Sequence, residues 1–502
     1  VVGHIAVESP GERECIRVMR AWDMSNSMNS LRWVLASSLA LAVSGCLVGP
    51  NYHRPSVPVP AQYKELPAGW TVAAPAADAP KGAWWTVFND PLLDSLEPQV
   101  SVSNQTVRQD YANYQEALAE VAVARAALYP TLGITGAATR QRVTGAGPVA
   151  NSASLEGSAS WAPDLWGSVR RTIEENKATA EASAATLANA TLSEQTALAT
   201  ALIELRVSDA NIDLLQKTVV EYTEYLRVVA NQGTAGTTAP SAVITARTQL
   251  ENTQASLIAL GVARAEYAHA IAVLVGKNPE DVDIPTGTAL PALPNIPPGV
   301  PSTLLQRRPD IAIAERQMAA QNAAIGVAEA AFYPSVSLSA AAGFTQSPLQ
   351  GLLHAANRIW SLGANASESL FSGGETVAEV RAARAAYDAS VANYRGTVLT
   401  AFQNVEDDLA GLRILTQEAA VLDTAVLDAK RGAEIAFNEY RAGTVDYTTA
   451  AIAQATALST AQSALSVHQQ RLIDTVSLIG DIGGDWSDSG QADSGQSGSN
   501  RK

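Results

Sequence analysis

The chain has 502 residues, a net charge of −15, and only 17% charged and 6% aromatic residues. Its length leaves room for two or three domains. The acidic balance excludes a nucleic-acid partner, whose phosphates need a basic surface, and the abundance of alanine suits long packed helices better than an enzyme core. His4, His53, His269, His354 and His468 show no ligand spacing, so neither a metal site nor a cofactor is expected.

Residues 1–27, which hold Cys15, Met19 and Met24, read as an upstream or non-native extension. From Met28, Arg32 precedes an apolar run from Trp33 to Val43. That is the grammar of a secretory signal over residues 28–45, and the run is too short to span a bilayer comfortably. Val43-Ser44-Gly45-Cys46 resembles the lipobox of bacterial lipoproteins, which makes Cys46 the expected acylated first residue of the mature chain. Leu47 stands where an inner-membrane retention signal would place Asp. Multiple acyl chains at about 0.8 kcal/mol per buried CH₂ would anchor the chain firmly. Residues 46–82, punctuated by prolines from Pro50 to Pro80, predict an extended linker with little core.

The remainder reads as two copies of one unit. Tyr129-Pro130-Thr131-Leu132 returns 204 residues later as Tyr333-Pro334-Ser335-Val336, each entered through an alanine-rich run. This is a domain-sized duplication rather than a solenoid repeat. The first copy, 83–278, predicts a helix from Gln105 to Leu128, a hairpin over 131–162, a long helix over 168–232 and a return helix over 240–276. A Pro-rich bridge, 279–301, leads to the second copy, 302–482, with its hairpin over 335–370, long helix over 375–441 and return helix over 446–480. Residues 487–502 predict a disordered tail.

In the second hairpin Val336, Leu338, Ala340, Ala342 and Phe344 alternate with Ser335, Ser337, Ser339, Ala341 and Gly343. One apolar and one small polar face suits a barrel wall between lipid and water, and a half-buried soluble sheet would alternate likewise. In the long helices Leu205, Ile212, Leu215, Val219, Tyr222, Leu226 and Val229, and later Val398, Phe402, Val405, Leu409 and Leu412, recur at three- and four-residue steps. A rod of about 100 Å exceeds any single core and must pack sideways as coiled coil. Gly233 and Gly443 are expected to stop these rods at their tips. Arg307-Arg308-Pro309-Asp310 reads as a helix start with its arginines in ion pairs, and Glu406-Asp407-Asp408 as a solvated face.

Several motifs in order carry a family resemblance: Gly49-Pro50-Asn51-Tyr52-His53-Arg54-Pro55, Trp84-Trp85, Trp161-Ala162-Pro163-Asp164-Leu165-Trp166-Gly167, His269 to Lys277, Leu304-Leu305-Gln306-Arg307-Arg308-Pro309-Asp310-Ile311, and Phe371-Ser372-Gly373-Gly374. From Cys46 to about Trp486 the chain resembles the TolC/OprM outer-membrane factor family, in its NodT-type lipoprotein branch. The resemblance implies a mixed α+β membrane fold, with four strands per protomer and twelve per homotrimer in an outer-membrane β-barrel. A long periplasmic α-helical barrel would continue it. It further implies a passive exit duct for small molecules, joined by a periplasmic membrane-fusion adaptor to an inner-membrane RND transporter that supplies the energy. No catalysis is expected.

The same resemblance assigns gating to the tips, at Asp446, Tyr440, Arg441, Gly443, Gly233 and Ser241. Tyr440 matches the family's tip tyrosine. Its acidic partner position is Ala242, so the latch is missing or rebuilt with Ser241. The family's tip acid ring does not carry over, and Asp446, the one acid of the second tip turn, is either a solvated turn residue or, in three copies, a small anionic constriction. Tyr129, Tyr333, Trp161 and Trp166 are expected at the membrane interface, among outer-membrane lipid. Two other readings stay open: a lipid-anchored periplasmic coiled-coil scaffold, and the duct of a type I secretion system.

Overall fold

The computed structural model describes residues 47–66, 83–142, 149–294, 307–346 and 351–484. The expected signal segment, Cys46 and the tail lie outside the described residues. After a 3₁₀ turn at Trp84–Phe88 come α1 (Pro91–Ser103) and α2 (Gln105–Ala126). Then follow β1 (Thr131–Arg142), β2 (Val149–Trp161), α3 (Ser168–Thr234) and α4 (Pro240–Leu274). The second half is α5 (Pro309–Ala330), β3 (Ser335–Gln346), β4 (Arg358–Ser367), α6 (Glu375–Ala442) and α7 (Tyr447–Asp481).

Local chemistry sets these boundaries. The Asp90 carboxylate accepts from the amides of Leu92 and Leu93, and the Asn104 side-chain oxygen from those of Thr106 and Val107, so each caps its helix. Pro309 opens α5 at a position whose amide would have no helical partner. Just before it, Arg308 pairs with Asp310 and Asp481 at 2.7 Å each. The second tip ends at Gly443 (φ +77°), with the Thr444 amide reaching back to Glu439 O. In the first tip the expected stop is displaced. α3 runs through Gly233 to Thr234, and the left-handed residue is Gly236 (φ +71°), with Thr237 N bonded to Gln232 O. Gly233 serves another purpose: a Cβ there would come within 2.9 Å of Val243 Cγ2 on the return helix.

The strands form one antiparallel sheet in the order β1-β2-β3-β4, so the two duplicated hairpins pair through β2 and β3. At 1.5 Å per residue, α3 and α6 are rods of about 100 Å, each packed antiparallel on its return helix. The main core is a belt part-way along them. Trp84, Trp85, Phe88, Leu93, Leu96 and Val100 pack there against Leu198, Leu202 and Leu205 of α3, Val405 and Leu409 of α6, and Leu472 and Val476 of α7. α4 is long and apolar enough to cross a membrane. It lies instead along the part of α3 that carries Asp209, Asp213, Lys217 and Glu221, charges that a hydrocarbon layer would not accept.

Two expectations are corrected. Residues 47–66 are a strap, not a linker with little core. Val48 N donates to Trp166 O, Asn322 to Pro50 O, Tyr52 to Glu315 and Arg54 to the Tyr394 hydroxyl, while Tyr63 is buried in the belt. Glu406-Asp407-Asp408 is a solvated face only at Asp407, which is exposed. Glu406 accepts the amides of Lys64 and Glu65, and Asp408 is half-buried beside Asp481, where desolvation and the neighbouring carboxylates raise its pKa. The strap covers this side of α6, which no property of α6 alone reveals.

Glu97, on α1, is fully buried without a hydrogen-bond partner. Desolvation pushes its pKa up to about 9. The folded protein therefore holds a proton that the unfolded chain releases above its ordinary carboxylate pKa. Stability should fall as pH rises from about 4.5 to 9, by roughly 3 kcal/mol at pH 7. Glu97→Gln should raise the thermal midpoint at pH 7, leave it unchanged at pH 4.5 and flatten the pH dependence between them, as followed by circular dichroism.

Candidate functional site: strand sheet, junction and helix tips

The pairing register sorts the sheet into two chemical faces. Leu132 lies opposite Ala159, Ala159 opposite Ala340 and Ala340 opposite Leu362. The next such row is Ile134, Gly157, Ala342 and Trp360. The intervening rows, such as Thr131–Ser160–Ser339–Gly363, belong to the other face and are mostly small or hydroxylic, with Glu156 and Ile359 as larger members. Leu132, Ile134, Trp360 and Leu362 are each more than three-quarters exposed in the protomer. Soluble sheets do not leave such a band in water. A wall with lipid on one side and water on the other does.

At the junction of sheet and helices, the structure brings together two of the four aromatics named from the sequence. Trp166 stacks on Tyr333 with centroids 4.8 Å apart, and its indole N–H donates to Pro334 O at 2.8 Å. Trp161 donates to Leu128 O from the end of β2, whereas Tyr129 projects outward, 70% exposed. Each Tyr-Pro thus marks the change from helix to strand. The Trp166–Tyr333 pair ties the first copy to the second.

The tips are held together by aromatic rings. Tyr225 on α3 packs against Phe437 on α6 at 3.9 Å, Phe437 against Tyr440 at 6.2 Å, and Tyr440 against Tyr447 on α7 at 5.3 Å. Tyr222 extends the ladder from the α3 side at 6.1 Å. Burial and neighbouring phenols push the Tyr447 pKa up. Sequence reasoning singled out Tyr440 alone. The other rings carry a signal only as heptad positions, which do not say which rod they meet.

The Tyr440 hydroxyl reaches Thr238 Oγ1 at 3.5 Å, so the first-tip partner is Thr238 rather than Ser241. Ser241 lies in the first turn of α4, where its carbonyl accepts from Thr245 Oγ1. Asp446 is the N-cap of α7: its carboxylate accepts from the amide and hydroxyl of Thr449 at 2.9 Å each, and these bonds hold its pKa down. It is exposed and ionised while capping the helix. Arg441 lies in the last turn of α6 and is exposed. Among the described residues no group of acids, histidines or cysteines has the geometry to hold a metal ion.

The sequence profile of the outer membrane efflux protein family matches residues 97–277 and 300–484. A toluene efflux pump outer membrane protein of Pseudomonas putida, TtgC, is 31% identical over 466 residues, covering 90% of this chain and 96% of that protein. Nodulation protein T of Rhizobium leguminosarum bv. trifolii is 30% identical over 444 residues, covering 86% and 91%. The solved outer-membrane channel OprN superposes with a TM-score of 0.80 at 28% identity, covering 88% of this chain and 99% of that one. The Campylobacter jejuni CmeC outer membrane channel does so with a TM-score of 0.82 at 22% identity, over 88% and 96%, and shares the fold.

Proposed function

The chain belongs to the outer membrane efflux protein family, and from that premise we propose that it works as the homotrimeric exit duct of a tripartite RND-type pump. The duct is passive, fed through a periplasmic adaptor by an inner-membrane transporter and anchored by acylated Cys46. The observation that carries this reading is the register-sorted sheet. Four strands with one apolar and one hydroxylic face leave free edges at β1 and β4, and closing the sheet with further copies removes those edges in lipid. Unpartnered apolar side chains on α4 and α6, among them Ile258, Val262, Val421 and Leu427, supply contact surface for neighbouring copies. Tyr129, Trp161, Trp166 and Tyr333 fit the membrane–water boundary, where amphipathic rings settle.

The purified protein should need detergent, run as a heat-labile trimer and form conducting pores in planar bilayers. A monomer that stays in aqueous buffer once its acyl anchor is cleaved would sink the reading. Relatives whose names specify toluene and antibiotic efflux make these the first cargoes to test in cells lacking their own duct.

Gating belongs to the tips in this proposal. Opening must part the helix pairs α3/α4 and α6/α7, which the aromatic ladder and the Tyr440–Thr238 contact hold together. Buried aromatic pairs contribute about 0.5–1.5 kcal/mol beyond their area. Phe437→Ala, which removes the closest ring contact, should therefore raise the open fraction and mean conductance in bilayers. Tyr440→Phe, which loses only the long hydroxyl contact, should change it little.

A further inference from the structure

We propose that Glu156 sets the ion preference of the strand-lined part of the passage. Three copies would form a carboxylate ring in a lumen lined mainly by hydroxyl and small side chains, with Ile359 and Gln141 on the same face. The proposal rests on the reading of the sheet as a barrel wall. The register fixes which face Glu156 occupies: it lies opposite Thr135 on β1 and Gly343 on β3, and Gly343 lies opposite Ile359 on β4. Its neighbours two residues away along β2, Ser154 and Ser158, share that face.

Among the described strand residues Glu156 is the one ionisable side chain on the Ser/Thr face. The other three charges, Arg140, Arg142 and Arg358, have the parity of the apolar face. All three lie at the strand ends nearest the hairpin turns, opposite Asn151, Val149 and Phe344. The carboxylate therefore has no basic neighbour on its own face to neutralise it.

The backbone also makes room for it. A Cβ at Gly343 would strike the Leu155 carbonyl and come within 2.7 Å of Glu156 Cα, so the β2–β3 approach admits only glycine there. The absent side chain leaves one flank of Glu156 open, and Thr135 on the other flank is short and uncharged. A carboxylate so placed stays solvated and faces the passage. Its reach is set by screening: the Debye length is about 30 Å at 0.01 M salt and about 3 Å at 1 M. The ring should bias permeation toward cations in dilute salt and lose its influence in concentrated salt. The tip acid Asp446 sits at the far end of the rods, so the two contributions are separable.

The test is the reversal potential of single channels in planar bilayers under a KCl gradient, first near 0.01 M and then near 1 M. Glu156→Gln should lower the K⁺/Cl⁻ permeability ratio severalfold in dilute salt and leave it unchanged at 1 M. Glu156→Lys should shift the preference toward anions, and Asp446→Asn should leave the Glu156-dependent part intact. A dilute-salt ratio for Glu156→Gln equal to that of the native protein would overturn the proposal. Glu156→Cys and Ile134→Cys, treated with a charged, membrane-impermeant thiol reagent, separate the two levels of the argument. Reaction at position 156 but not 134 supports the wall orientation, and an unchanged Glu156→Gln ratio then rejects only the role of Glu156. Reaction at 134 but not 156 rejects the barrel-wall reading and this proposal with it.

Discussion

Ile134→Arg should abolish the heat-labile trimer, whereas Thr135→Arg, one residue along the same strand, should assemble. Ile134 is 84% exposed in the protomer and lies in the row Ile134, Gly157, Ala342, Trp360. In a barrel wall that row faces hydrocarbon, where arginine costs about 2–4 kcal/mol near the bilayer midplane. A trimer carries that penalty three times over, which exceeds a typical domain's margin of about 5–15 kcal/mol at its lower end. Thr135 points to the other face, directly across from Glu156. An arginine there meets water and a carboxylate. The measurement is the trimer band of outer-membrane extracts on unheated gels. Equal loss in both variants, or in neither, would mean that the two faces do not separate lipid from water.

The second large effect is expected at Arg171. It is 1% exposed, and its guanidinium does four jobs at once. Nε donates to Val48 O at 3.0 Å, Nη2 to Gly49 O at 2.8 Å and to Asn51 Oδ1 at 3.1 Å, and Nη1 to Glu174 at 2.7 Å. Its side chain also packs on Gly326, against which Gly49 (φ +92°) is pressed so closely that neither position admits a Cβ without movement. Arg171→Ala strands these strap carbonyls, and each buried unsatisfied group costs about 1–3 kcal/mol. The upper end of the strap should peel away. Chymotrypsin should then cleave after Tyr52, whose hydroxyl otherwise donates to Glu315, and the trimer should dissociate at lower temperature. Arg171→Lys should not rescue it, because an ammonium lacks the planar fork that serves several acceptors at once. Chymotryptic cleavage after Tyr52 at the native rate would rule out Arg171 as the clip of the strap.

Much of the architecture could be read from the chain itself. The helix-to-strand switches at Tyr129-Pro130 and Tyr333-Pro334, the two sheet faces and the heptad positions Leu205, Leu215, Tyr222 and Val229 are local properties. Period two and period seven are written into consecutive residues, whatever those residues later touch. The tip stops were partly legible. Gly443 ends α6 as its position suggests, but in the first tip two glycines three residues apart compete, and only the path of the return helix gives Gly236 the left-handed turn and Gly233 the close approach to Val243.

The tertiary structure alone decided what each side chain meets. The prolines of 47–66 deny that segment a helix or a sheet, so composition makes it a linker. In the fold its carbonyls and amides are taken up by Arg171, Asn322 and Glu406, the last 342 residues from Lys64. Tyr440 meets Thr238 rather than Ser241, and Phe437 meets Tyr225, because register between rods follows from their whole packed length. Backbone periodicity depends on neighbours in the chain, and so the sequence determined the elements and their faces. Pairing depends on neighbours in space, and so the strap, the aromatic ladder and the row that sets Glu156 between Thr135 and Gly343 became visible only once the rods and strands were laid side by side.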